Sequence, residues 1–158
     1  MVLAATVICG ACLFTSCKKD EEETPANLNV AEKIIGKWIT ADVDGQPAPT
    51  NNKMFITFVS TTKAHISASF NEHQGAELWG NQLEAAVAID GNKVTVTTQQ
   101  DEHTTGVEEY TVTDINDNEF TANQKVTVSV DGTVVHTRQG TIRLTKVTAD
   151  YSAAILGL

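Results

Sequence analysis

Few residues of this sequence have the type and spacing that catalysis or metal binding requires. The four histidines are His65, His73, His103 and His136. No two of them stand at the i, i+2 or i, i+4 spacing that brings two imidazoles onto one metal ion. The carboxylate pairs 101–102 and 108–109 have the chemistry of a general acid and base, but neighbouring strand residues point to opposite faces of a sheet. We therefore expect no enzymatic activity, no bound metal and no cofactor.

A different group of polar residues lies among apolar residues on segments typical of β-strands. Gln124 shares its strand face with Phe120 and Val126, and Tyr110 shares a face with Val112. An interior with apolar walls and a few polar groups is what a small amphipathic ligand requires. The alternative is a filled core whose long polar side chains reach out at an open rim.

The last strand-like segment adds two more polar residues to this interior. Arg138 and His136 stand an even number of residues before Ile142, so all three share one face of the strand. Ile142 belongs to an apolar stripe that is predicted to point inward. They point inward unless Gly140 forms a bulge that reverses the alternation. The candidate ligand-binding residues are therefore Tyr110, Gln124, His136, Arg138 and Trp79, the last in a loop-like stretch where it caps a cavity, stacks on a ligand or covers the core.

The composition is that of one globular domain with an acidic surface. The chain has 158 residues, of which 41% are hydrophobic, enough for one core and too few for two full-sized domains. Twenty Asp and Glu against eleven Lys and Arg give a net charge of −9. Because binding to nucleic-acid phosphates needs clustered basic side chains, we exclude a nucleic-acid partner.

From residue 37 onward the chain consists of short segments rich in Val, Ile, Thr and Phe, separated by turn residues. Turns such as Asp44-Gly45 favour tight hairpins between antiparallel neighbours, and no long amphipathic helix separates two strands. Eight strands leave two exposed edges unless the first pairs with the last. We therefore predict an all-β fold, an eight-stranded up-and-down antiparallel β-barrel rather than a sandwich. The predicted strands are 37–43, 54–59, 64–70, 83–89, 93–98, 107–113, 119–130 and 134–147.

The two ends of this barrel resemble those of a known family. A short helix over residues 30–35 leads into Gly36 and Trp38, which open the first strand. Together with the segments 110–112 and 141–147, this pattern is similar to that of small bacterial lipocalin-like domains.

The resemblance covers residues 30–148 and implies a lipocalin-like barrel with a short helix before its first strand. It also implies that a basic residue of the last strand packs over Trp38 as a structural seal. Arg143 is the residue that we place there, with Lys146 as the alternative. Gly36, Trp38 and Arg143 are thus predicted to have a structural role.

The N-terminal residues carry signals of export. Residues 1–16 have no charged side chain and are mostly small or apolar, which predicts a signal peptide too short to span a bilayer. The junction 13–17 resembles a bacterial lipobox, which implies a lipid on the thiol of Cys17 and an anchor in the outer membrane. Residues 17–29 would form an acidic, flexible tether. A Lys-then-acidic run after the cysteine is similar to a surface-export signal, so we favour the cell surface over the periplasmic side.

The C-terminal segment 149–158 has two interpretations. Residues 152–158 repeat the pattern of residues 31–37, which is typical of a second, tandem barrel beginning there or of a helix that packs on the barrel wall. The sequence as a whole predicts a lipid-anchored cell-envelope protein that binds a small hydrophobic or amphipathic ligand. The alternatives are a structural or protein-interaction module with a filled barrel and, less favoured, a small hydrolase or an inhibitor. The sequence does not predict an oligomeric state.

Overall fold

The computed structural model describes residues 28–49, 53–73, 76–79 and 82–148, within which the side chains of residues 70–79 are not described. The predicted signal peptide, Cys17 and residues 149–158 lie outside the described residues. The elements are α1 (Val30–Lys33), β1 (Gly36–Val43), β2 (Gln46–Pro47), β3 (Met54–Phe58), β4 (Lys63–His73), β5 (Ala76–Trp79), β6 (Leu83–Asp90), β7 (Lys93–Gln99), β8 (Thr104–Ile115), β9 (Glu119–Val130) and β10 (Thr133–Val147). None of the described helices is long enough and apolar enough to cross a membrane.

Eight of these strands close into an antiparallel barrel, which confirms the predicted all-β barrel. Each of them pairs with the next long strand along the chain, and β10 pairs back onto β1. The strands follow one another around the barrel in the order β1, β3, β4, β6, β7, β8, β9 and β10. The short strands β2 and β5 pair with β1 and β4. Closure leaves no free edge where β1 and β10 meet.

The strand β5 corrects the prediction of a loop-like stretch around Trp79. Its residues Ala76–Trp79 pair antiparallel with the segment of β4 that extends beyond the pairing of β4 with β6. That extension of β4 has unpaired backbone groups on one edge, and β5 satisfies them.

Two tight hairpins use turn residues in the left-handed region. Asp44 and Gly45 have φ of 53° and 73°, and Asp131 and Gly132 have φ of 49° and 76°. Two consecutive residues with positive φ match the twist of the flanking strands, which is why Asp-Gly is favoured there. The turn predicted at Asp44-Gly45 is confirmed, and Asp131-Gly132 forms a second turn of the same kind.

The core follows from the alternation of apolar residues along the strands. In β7 every second residue is buried. In β6 the alternate positions 83, 85, 87 and 89 are buried or half-buried, and the residues between them are exposed. The inward side chains form one cluster with the first turn of helix α1. Its largest fully buried members are Trp38, Tyr110, Phe58, Phe120, Ile34, Ile56 and Leu144.

The two ends of the barrel are built differently. At one end, which we call the closed end, α1 and the start of β1 cover the core. At the other, the open end, the hairpin of β9 and β10 projects beyond β1, because β1 pairs only with Ile142–Val147 of the fifteen-residue β10. Residues 133–139 are exposed and, among the described strands, pair with β9 alone. The barrel interior is therefore accessible from the open end.

Candidate functional site

A cavity of about 440 Å³ lies inside the open end of the barrel. Its volume is within the range of small-molecule sites in proteins. Its walls combine apolar and polar side chains from most of the barrel strands. The apolar lining includes Val43, Met54, Ile66, Leu83, Val126 and Ile142, and the polar lining includes Thr40, Lys53, Thr98, Gln100, Glu108, Gln124 and Arg138.

A hydrogen-bonded cluster of three side chains forms the most polar part of this interior. Glu108 and Tyr110 lie on the inward face of β8, and Gln124 lies opposite Tyr110 on β9. The Oε2 atom of Glu108 accepts a hydrogen bond from the Tyr110 hydroxyl and a second one, 3.0 Å long, from Nε2 of Gln124. Tyr110 also packs edge-on against Phe120, with 5.7 Å between the ring centroids. The cluster thus joins the cavity to the apolar core beneath it.

The surroundings of the cluster favour its protonated forms. Burial raises the pKa of Glu108, although the hydrogen bonds from Tyr110 and Gln124 oppose that rise. Burial, and after it the charge of Glu108, holds the pKa of the Tyr110 hydroxyl well above its ordinary value. Glu108 nevertheless keeps part of its surface accessible, and it lines the cavity. The site therefore presents a carboxyl group that can exchange a proton near the apolar wall.

The cations of the lining have partners of their own. Arg138 reaches Asp44, with 3.7 Å between Nη2 and Oδ2. The other carboxylate oxygen of Asp44 accepts a hydrogen bond from the Thr141 amide at 2.7 Å. A side chain at Gly140 would collide with this carboxylate, since an added Cβ would lie 2.4 Å from Oδ1. Lys53 also has an interaction partner. Arg138 is thus paired with an acidic group of the protein itself.

The structure brings together three of the five candidate ligand-binding residues. Tyr110 and Gln124 are hydrogen-bonded, and Arg138 lines the same cavity as Gln124. The register of β9 and β10 is continuous past Gly140, and the bulge lies instead between Val134 and His136. Arg138 therefore lies on the same, inward face of β10 as the buried residues Ile142 and Leu144.

The other two candidates do not contribute a described side chain to the cavity. His136 is exposed and is not part of the lining, because β10 has already passed beyond the barrel wall at this position. His136 keeps the strand face of Arg138 in the pairing of β10 with β9, but it does not line the cavity. The side chain of Trp79 lies outside the described residues.

Glu108 is the residue that the sequence analysis missed. Glu108 and Glu109 do point to opposite faces of β8, as predicted for neighbouring strand residues. Glu109 lies on the outside, where its carboxylate is 3.1 Å from Nζ of Lys125. The parity of Glu108 with Tyr110, two residues away on the same strand, is the signal that places it inside.

At the closed end, Trp38 forms the structural seal. It is fully buried, and its indole Nε1–H donates a 2.6 Å hydrogen bond to the carbonyl of Ile34. Its ring packs edge-on against Phe120, with 5.9 Å between the centroids, and Nζ of Lys146 lies 5.0 Å from the ring centroid. Gly36 has φ of 134° and leaves room for Lys146, since an added Cβ would lie 2.7 Å from Cε. Lys146 is thus the basic residue over the tryptophan.

The prediction that Arg143 occupies this position is wrong. Arg143 has the opposite parity to the buried Ile142 and Leu144, so its side chain lies on the outer surface. Its guanidinium bonds to Asp42, and to Glu119 at 2.9 Å. These two carboxylates raise the pKa of the guanidinium further. Arg143 connects β1, β10 and β9 across the seam of the barrel.

Within the described part of the chain, no three His, Cys, Asp or Glu residues lie together in a way that could hold a metal ion. No protein-family model matches the chain, and a search of curated proteins finds no similar sequence. The lipocalin resemblance therefore stays a prediction.

Proposed function

We propose that this protein is a lipid-anchored, lipocalin-like protein of the cell envelope that holds one small hydrophobic or amphipathic ligand in its barrel. The observation that carries the proposal is the 440 Å³ cavity at the open end. Its mixed lining suits a ligand with a long apolar part and one polar group. The proposal assigns no enzymatic activity.

The closed end supports the lipocalin-like and up-and-down part of the proposal. The strands that form the barrel follow one another in chain order, and a turn of helix leads into Gly36 and Trp38. A basic residue of the last strand, Lys146, packs over the tryptophan. These features agree with the arrangement that the resemblance implies.

The envelope location rests on the sequence alone. The apolar residues 1–16, the junction at Cys17 and the acidic run that follows support a lipid anchor in the outer membrane, with the domain on the cell surface. Labelling with a radioactive fatty acid tests the anchor, and Cys17→Ser should abolish the label. Digestion of intact cells with an added protease tests the membrane face, since only a surface protein is degraded.

Native mass spectrometry of the protein purified from its host, without lipid-stripping steps, tests ligand binding. We expect a discrete extra mass that is lost on denaturation. Val126→Trp should fill the cavity and abolish that mass, because Val126 lines the cavity. Thr127→Trp is the matched control, since the neighbouring residue on β9 points to the other face.

Titration with the fluorescent probe N-phenyl-1-naphthylamine provides a second measurement, independent of ligand retention. The wild type and Thr127→Trp should enhance its fluorescence, and Val126→Trp should not. Thermal unfolding of each variant checks that the barrel is intact. A wild type without the extra mass and without probe binding would overturn the proposal.

A second candidate function is a protein-interaction module, and the projecting part of β10 favours it. Val134 and Val135 are 58% and 60% exposed, on a segment that pairs only with β9 among the described strands. A free strand edge with exposed apolar residues can add a strand from another protein. Photo-crosslinking from position 134 in intact cells, with the exposed position 113 as control, tests this function.

A further inference from the structure

Glu108 differs from the other charged groups around the cavity. It is the one residue with a carboxyl group in the described lining. Its two hydrogen-bond donors, the Tyr110 hydroxyl and the Gln124 amide, are both neutral and both bond to Oε2. The described residues place no Lys, Arg or His within ion-pair distance of it. The second carboxyl oxygen, Oε1, has no hydrogen-bond partner among them.

Among the described contacts, neither cation of the lining forms an ion pair with Glu108. Arg138 is held near Asp44, on the side of β10 that borders β1. Lys53 has an interaction of its own. An acidic group in a partly dry cavity is unfavourable in its ionised form unless a cation or a further donor compensates it. Among the described residues, one oxygen of the carboxyl group that lines the cavity therefore has no hydrogen-bond donor.

We infer that the cavity selects an amphiphile with a primary ammonium group and binds that group at the Glu108 carboxyl. This inference rests on the proposed function and names the chemical class of its ligand. An ammonium group supplies both the missing positive charge and an N–H donor for Oε1. The aliphatic part of the ligand then contacts the apolar wall formed by Val43, Leu83, Val126 and Ile142.

The same arrangement disfavours an anionic amphiphile at this position. A carboxylate placed near Oε1 would meet a second acidic group, and one of the two would have to take up a proton. The selectivity therefore comes from the head group, since any ligand with the same tail makes the same apolar contacts.

Calorimetric titration with three probes that share one tail tests the inference. The probes are decylamine, decyltrimethylammonium and decanoate, each below its micellar concentration. The protein is the exported chain with Cys17→Ser, so that no acyl chain is attached. We expect decylamine to bind about tenfold more tightly than decyltrimethylammonium, which has the charge but no N–H donor. Decanoate should bind most weakly.

Glu108→Gln should weaken decylamine binding by about tenfold and remove its advantage over decyltrimethylammonium. Glu109→Gln is the matched control, because it removes one acidic group from the outer face and should leave all three affinities unchanged. The comparison of the three probes uses the protein with Glu108 intact. It therefore tests the inference even if Glu108→Gln folds poorly.

The outcomes separate the inference from the proposed function. Binding of decanoate as tight as that of decylamine, or a decylamine affinity that Glu108→Gln leaves unchanged, would overturn the inference and leave a ligand-binding barrel. Failure of all three probes and of N-phenyl-1-naphthylamine to bind would overturn both.

Discussion

The closed end and the open end of the barrel fill the same inward positions with different chemistry. At the closed end the inward side chains are large and apolar, and the one polar atom of Trp38 is satisfied by the Ile34 carbonyl. At the open end the inward positions carry Glu108, Gln124 and Arg138, and they surround a cavity. The difference indicates that one end stabilises the fold, while the other has the cavity in which we propose that a ligand binds.

The last strand shows this division within one element. Ile142 and Leu144 are 4% and 0% exposed, and they pack in the core. Four residues before Ile142, on the same face, Arg138 lines the cavity. The strand keeps its alternation along its length, and only the types of its inward residues differ between the core and the cavity. The proposed binding site therefore requires no change in fold.

Trp38→Ala should show the largest loss of stability at the closed end. Removal of a fully buried tryptophan and its hydrogen bond costs about 3–5 kcal/mol. Val126→Ala at the open end should cost about 1 kcal/mol or less, because its side chain borders a cavity and not a packed core. Urea denaturation measures both variants. Equal losses would contradict the distinction between the two ends.

Gly36→Ala should have the next largest effect, a loss of about 1–2 kcal/mol. The φ of 134° is strained for any residue with a side chain, and the new Cβ would also press on Cε of Lys146. The double variant Gly36→Ala, Lys146→Ala separates these causes by urea denaturation. If the double variant is fully as stable as Lys146→Ala, the strain lies in the side-chain contact and the backbone explanation is wrong.

The barrel could be predicted because its signals are local. The alternation of apolar residues and the Asp-Gly turns define the long strands and their hairpins, which are contacts between neighbours in the chain. The strand β5 could not be predicted in this way. It forms because β4 continues beyond its pairing with β6, and the length of that extension depends on tertiary structure.

The contacts of the residues at the two ends of the barrel were harder to predict, because they depend on how distant strands are aligned with each other. The pairing of β1 with β10 places Trp38 opposite Lys146, and this contact joins residues from the two ends of the domain. Parity alone would have excluded Arg143, since Ile142 and Leu144 point inward. Parity with Tyr110 would likewise have placed Glu108 in the cavity. His136 is exposed because β1 ends before it reaches this part of β10. The sequence of β10 alone does not predict where β1 ends.

Glu108→Gln should change how stability depends on pH. Because burial raises the pKa of Glu108, the folded state binds more protons than the unfolded state between the two pKa values. The free energy of unfolding of the wild type therefore falls as pH rises through this interval and is constant above it. Glu108→Gln removes this contribution, so its stability relative to the wild type should increase as the pH rises from the ordinary pKa of a glutamate carboxyl to the raised pKa of the folded state.

Chemical denaturation across this pH range measures that difference, with Glu109→Gln as the control. Other carboxyl groups, such as Glu84, have a lowered pKa and contribute with the opposite sign, but they do so equally in both proteins. A difference between Glu108→Gln and the wild type that does not change with pH would mean that folding does not raise the pKa of Glu108.

Val135→Lys should have the smallest effect, a change in stability of less than about 0.5 kcal/mol. Val135 is 60% exposed and lies at the bulge of β10, where its side chain makes little contact with the barrel. A lysine on a free strand edge also opposes pairing with another chain, so the variant should self-associate less at high protein concentration. Urea denaturation and analytical ultracentrifugation measure the two effects. A loss of stability above about 1 kcal/mol would mean that the projecting segment packs against another part of the protein. The open end would then be covered, and the difference between the two ends would disappear.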